Sequence, residues 1–165
     1  YTAANLAAVY GEDANKALFA GLLHDCAKNL SDKELLAACK KNALPVSEAE
    51  NAAPYLLHGK VGALLAEEEF QVRDDDILNA IRSHTTGRPE MSLLERIVFV
   101  ADYMEPWRSH ASNLPEIRRE AYRDLDAALV HILKDTLKHL SEAKAVVDPQ
   151  TLKTYEYYRD LTGDC

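Results

Sequence analysis

The sequence has little cysteine: three residues in 165, an odd number, with no Cys-x-x-Cys pair. A disulfide framework is thereby excluded, and Cys26, Cys39 and Cys165 read as reduced thiols of a cytoplasmic protein. No apolar run approaches the roughly 20 residues needed to span a bilayer, so no transmembrane helix, and no membrane partner, is expected. The opening residues carry no signal-peptide pattern. Positive charge is also scarce, 19 Lys and Arg against 27 Asp and Glu, leaving a net charge of −8. Such a chain lacks the basic footprint that bulk nucleic acid requires. A small anionic substrate stays open, because a metal ion can supply the local positive charge. Strand patterning is missing as well: no segment alternates apolar and polar residues, and no repeat, linker or low-complexity tract interrupts the chain.

What is present reads as helix after helix, an all-α chain whose length suits one domain. Gly11, Pro45, Pro54, Gly87, Pro89, Pro106, Pro115 and Pro149 punctuate it. Ser31…Glu34, Ser47…Glu50 and Ser92…Glu95 each fit a capping box, and Asn113…Glu116 fits one more loosely. Asp148 precedes a first-position proline. These signals predict helices over 1–10, 13–28, 32–42, 47–53, 58–70, 74–84, 92–105, 115–141 (as one helix or two) and 149–161. Ile77, Ile81 and His84 share a face; so do Leu94, Val98, Ala101 and Asp102, and Leu125, Leu129, Ile132 and Thr136. The acidic runs 67–69 and 74–76 read as a solvated face and a helix start, the latter suited to the helix dipole.

Among six histidines, three occupy settings that ask for a ligand role. His24 and Asp25 stand side by side at the end of the apolar stretch 18–23, where an adjacent polar pair is costly unless satisfied. His58 lies at a helix start, and His84 closes a helix and runs into Thr85-Thr86-Gly87-Arg88. Asp102 falls on the buried face of an apolar helix, where an unpaired carboxylate is expensive. Imidazole and carboxylate together suit iron, manganese or zinc. His110, His131 and His139 read as structural or exposed. Tyr55, Tyr103, Trp107 and Tyr155 are able to stack on a base, but helical aromatics usually serve the core.

The phrases Ala20-Gly-Leu-Leu-His-Asp-Cys-Ala-Lys28, Leu57-His-Gly59, Ala80-Ile-Arg-Ser-His-Thr-Thr-Gly-Arg88, Ala101-Asp-Tyr-Met-Glu-Pro-Trp-Arg108 and the tail from Asp148 to Tyr155 resemble the YqeK-type branch of the HD superfamily of metal-dependent phosphohydrolases. The resemblance implies a single compact helical HD domain over 1–165 and a pair of iron-like metal ions. It implies symmetrical cleavage of diadenosine tetraphosphate to two ADP by metal-activated water. Asp25 would bridge the metals, His24 and Asp102 would bind the first, and His58 and His84 the second. Lys28, Thr85, Thr86, Arg88 and Arg108 would meet substrate phosphate, with Lys28 and Arg88 sharing the catalytic work of Asp25. Glu105 would orient a ligand or simply close its helix. The resemblance also implies one more histidine about two turns before Tyr1. The chain opens in mid-helix pattern, so the expectation is that the start of the first helix is missing and the first metal site weakened.

Two other classes stay open on sequence: an HD-type nucleotidase or phosphodiesterase acting on another nucleotide, and a non-catalytic nucleotide-binding module. Symmetry considerations allow a homodimer.

Overall fold

The computed structural model describes residues 1–109 and 111–163, and all the regular structure in them is helical. The helices are α1 (Thr2–Tyr10), α2 (Ala14–Leu23), α3 (Asp32–Lys41), α4 (Glu48–Ala52), α5 (His58–Glu68), α6 (Asp75–Ser83), α7 (Leu93–Tyr103), α8 (Leu114–Glu120), α9 (Leu125–Glu142) and α10 (Pro149–Thr162), with a 3-10 turn at Pro54–Leu57. No described helix is long and apolar enough to cross a membrane.

The hydrophobic pattern explains the arrangement. Helix α7 buries Leu94, Ile97, Val98, Phe99, Val100 and Ala101, so it is apolar on nearly every side and must be surrounded. Helices α1, α2, α6 and α9 pack around it, and α10 packs on α9. A smaller core of Ala27, Leu35, Cys39, Leu57 and Val61 lies where α3 meets α5 and the 3-10 turn. Close packing at one point sets up the site. A Cβ on Gly59 would stand 2.9 Å from Arg82 O, so only glycine lets α5 approach the end of α6 this closely.

Most predicted helix starts hold, and the capping boxes at Ser31, Ser47 and Ser92 all form, as does the Asp148 cap. Two readings differ, and one alternative left open resolves to two helices. The segment 13–28 ends its helix at Leu23, because the chain switches to tight turns in which Cys26 N bonds Leu23 O and Lys28 N bonds Asp25 O. The segment 115–141 is two helices, broken where Asp124 turns extended and accepts from Asp126 N and Ala127 N. Asn113 makes no cap; its side-chain amide donates instead to Asp135.

Candidate metal centre

Helix ends and turns place the polar residues. His24 and His84 are the C-cap residues of α2 and α6, and His58 opens α5 directly after the 3-10 turn. Asp25 is the first residue past the α2 cap, and Asp102 sits in the last turn of α7. Each histidine is held in the same way. Ring Nδ1 lies 2.8 Å from Gly21 O in His24, 2.6 Å from Tyr55 O in His58 and 2.7 Å from Ile81 O in His84. A carbonyl only accepts, so each Nδ1 is protonated and donates. Every Nε2 is left facing the centre.

Those inward atoms meet one another. Asp25 Oδ1 lies 3.4 Å from His58 Nε2 and 3.4 Å from His84 Nε2. Asp25 Oδ2 lies 3.3 Å from His24 Nε2 and accepts from Lys28 Nζ at 2.6 Å. His24 Nε2 is also 3.3 Å from Asp102 Oδ1, and the Nε2 atoms of His58 and His84 stand 3.0 Å apart. Thr85 Oγ1 is 3.3 Å from both of them. Neutral imidazoles in this tautomer would aim lone pairs at each other and at carboxylate oxygens, which repels unless positive charge lies between them. His24 Nε2 and Asp25 Oδ1 are buried without a hydrogen-bond partner. Such orphaned acceptors are expensive, and a divalent cation satisfies them all at once. One ligand atom each from His24, Asp25 and His84 falls within 4.8 Å of the others. The donor set therefore fits divalent metal.

Without a cation, protons would have to do that work. Burial lowers the His24 pKa, but Asp102 and Asp25 outweigh it and push it up to about 10. Burial works to raise the Asp25 carboxyl, yet His24, His58, His84 and Lys28 hold it far below its usual range. Asp102 is likewise lowered, burial being outweighed mainly by His24.

Two cavities open onto this cluster. The larger, about 770 Å³, includes Lys28, His58, His84, Thr85, Asp102 and Arg108 in its lining and extends between α7 and α9. The smaller, about 330 Å³, reaches His24 and Asp25 from the other side, again past Lys28 and Arg108. The Arg108 guanidinium sits 3.7 Å from Asp102 Oδ2 and 5.2 Å from the Tyr103 ring centroid.

Of the residues singled out in the sequence, the structure gathers His24, Asp25, Lys28, His58, His84, Thr85, Asp102 and Arg108. Thr86 and Arg88 face away. Thr86 Oγ1 bonds Gly87 O, while Thr86 O accepts from Thr154 on α10. Arg88 donates to Glu95 through Nε at 2.8 Å and Nη2 at 2.6 Å, and Glu95 also accepts from Ser83 Oγ and Ser92 N. Gly87, at φ 62, passes so near Thr154 that an added Cβ would come within 2.6 Å of it. Glu105 accepts from Trp107 N in the turn after α7. Trp107 is 91% exposed, Tyr55 is exposed, and Tyr155 lies under Arg159. His131 sits between Glu120 and Asp135, His139 lines the larger cavity, and His110 lies outside the described residues. Sequence reading did not find Asn113 and Asp135 on the cavity wall. The only signal was that Asp135 borders the apolar face through Ile132 and Thr136.

The HD domain family model matches residues 1–107, a span that holds every gathered histidine and aspartate. The chain belongs to the HD-domain family. A Bacillus subtilis protein named bis(5'-nucleosyl)-tetraphosphatase, symmetrical, is 40% identical over 94% of this chain and 83% of its own length. A protein of the same name from Staphylococcus aureus is 33% identical over 95% of this chain and 81% of its own. A solved structure described as a predicted HD superfamily hydrolase involved in NAD metabolism, from Clostridium acetobutylicum, superposes with a TM-score of 0.94. It is 39% identical and matches 97% of this chain and 84% of that one. Within this HD-domain chain, helices α8 to α10 lie beyond the matched span, and α9 forms one wall of the larger cavity.

Proposed function

We propose that this HD-domain protein hydrolyses diadenosine tetraphosphate symmetrically to two ADP. The carrying observation is the Asp25 carboxylate, with one oxygen turned to His58 and His84 and the other to His24 and Lys28. That division suits a carboxylate shared by two cations, with His24 and Asp102 holding one and His58 and His84 the other. Iron is our preferred metal, with manganese or zinc as substitutes. The similarity in sequence to the two named tetraphosphatases supports the substrate.

When bound, paired divalent cations lower the pKa of water toward neutrality and draw charge from phosphoryl oxygens. The protein's own groups do the rest. The carbonyls of Gly21, Tyr55 and Ile81 fix the three imidazoles, so ligand geometry is set by the fold. Lys28 and Arg108 flank both approaches to the centre and offset the substrate's charge and that gathering on the leaving phosphate. The Thr85 hydroxyl stands beside His58 and His84, in reach of a phosphate oxygen in the larger cavity. Arg88 and Thr86 serve by shaping the Thr85 loop; direct phosphate contact by Arg88 would require it to leave Glu95. Water adds across the central phosphoanhydride, one ADP leaving with the bridging oxygen and the other gaining the water oxygen. This reading includes a cytoplasmic location and one HD domain over the chain.

Product analysis tests the proposal. With ferrous or manganous ion the expected product is ADP alone, lost on chelation. ATP plus AMP would overturn the cleavage point, and an unchanged substrate would overturn the activity.

A further inference from the structure

The larger cavity reaches well beyond what phosphates need. One wall is a single face of α9, with Ile132, Asp135, Thr136 and His139 at helical spacing. From Ile132 to His139 that face runs about 10 Å. The facing wall is Phe99 and Tyr103 from α7, and Asn113 closes it from the segment before α8. The groove thus has Lys28 and Arg108 at its metal end and a mixed lining farther along, where Tyr103 and the edges of Phe99 and Ile132 stand among polar side chains, a combination that suits a flat, polar-edged heterocycle joined to a phosphate chain.

One polar pair is set into those walls. Asn113 Nδ2 donates to Asp135 Oδ2, and Tyr103 OH donates to Asn113 Oδ1 at 3.3 Å. His131 Nε2 lies 3.6 Å from the same Asp135 oxygen. These contacts fix which way the Asn113 amide points. They leave it one further N–H and one further lone pair. The described hydrogen bonds and ion pairs of Asp135 all use Oδ2, so Oδ1 retains both its lone pairs.

We infer that this groove is a nucleoside subsite and that Asn113 with Asp135 reads the base as a 6-aminopurine. The inference rests on the reading of the substrate as a dinucleoside polyphosphate. An exocyclic amino group offers two hydrogens, matching the two acceptors, the Asn113 amide oxygen and Asp135 Oδ1. The adjacent ring nitrogen is an acceptor, matching the remaining amide N–H. A 6-oxopurine reverses that edge and sets its carbonyl oxygen against the Asp135 carboxylate. Hypoxanthine is the discriminating probe, since it has no exocyclic amino group with which to turn and satisfy the acid.

The experiment measures two ratios on the manganese-loaded protein: equilibrium binding of ADP against IDP, and kcat/KM for diadenosine against diinosine tetraphosphate. Adenine is expected to win by between about fivefold and a hundredfold, the discrimination one good paired base contact gives. Asp135→Asn and, separately, Asn113→Ala should bring both ratios near unity, chiefly by weakening the adenine nucleotide. A purely structural role would lower both nucleotides together and leave the ratios unchanged in both variants, which overturns the inference. If ADP wins over IDP through Asp135 while diadenosine tetraphosphate is not hydrolysed, the subsite stands and the proposed activity falls. If neither nucleotide binds, the subsite is overturned.

Discussion

Glu95 is the residue whose removal should cost the fold most for a single polar change. It is 1% exposed and occupies the third position of α7. Its carboxylate accepts from Ser83 Oγ at 2.9 Å, Arg88 Nε at 2.8 Å, Arg88 Nη2 at 2.6 Å and Ser92 N at 2.8 Å. Alanine at this position leaves the buried Ser83 hydroxyl unpaired, about 1–3 kcal/mol, and breaks half the capping box, about 1 kcal/mol. The Arg88 side chain is 41% exposed, so after losing its partner it turns to water. Its share is therefore well below the 3–5 kcal/mol of a fully buried pair. The sum is about 3–4 kcal/mol, or roughly 10 °C in Tm for a chain of this size. Thermal unfolding followed by far-UV circular dichroism, in chelator so that metal does not mask the change, reads it directly. Arg88→Ala alone should cost about 3 kcal/mol, because it leaves the buried Glu95 carboxylate without its cation, and adding it to Glu95→Ala should cost almost nothing more. A fall of under 3 °C for Glu95→Ala would refute the reasoning, and additive losses would show that Arg88 has its main partner elsewhere.

Asp25→Ala should abolish turnover and bound metal together while far-UV helicity stays near wild type; near-normal activity would remove Asp25 from the mechanism. Gly87→Ala should destabilise by about 2–3 kcal/mol, combining strain at positive φ with a clash against Thr154, and Thr154→Ser should relieve part of it in the double variant, read by denaturant midpoint. Burial pushes Tyr158 up to about 12, against the opposing Met91 N–H bond. Its contribution to stability is complete below pH 10, where the unfolded phenol is still neutral, and is lost as pH rises through 12. The total loss is about 2–3 kcal/mol, and Tyr158→Phe should flatten that part of an alkaline stability profile.

The local parts of the fold were legible because they are written locally. A serine three residues before a glutamate marks a helix start wherever the chain folds, and Ser31, Ser47 and Ser92 all behave so. Asn113 carried a similar mark yet bonds Asp135, 22 residues on, because a long-range partner outbid the backbone for its amide. The clustering of His24, Asp25, His58, His84 and Asp102 was legible for a related reason: polar residues at the ends or on the buried faces of apolar helices must be satisfied by something. The groove was not, since Phe99, Asn113 and Asp135 come from separate elements and none is unusual alone. Arg88 shows the same limit. Its motif suggested phosphate, while the pairing with Glu95 depends on α7 burying its third residue, which the capping pattern does not state.

The two helix C-caps at His24 and His84 carry one more implication. Aligned peptides give each helix a partial negative end, and both ends converge beside the Asp25 and Asp102 carboxylates. That field favours positive charge at the cluster itself, while Lys28 and Arg108 at its two mouths are left to draw in phosphate. Cation and anion are thus sorted within one cleft, the cation to the helix ends and the anion to the rim.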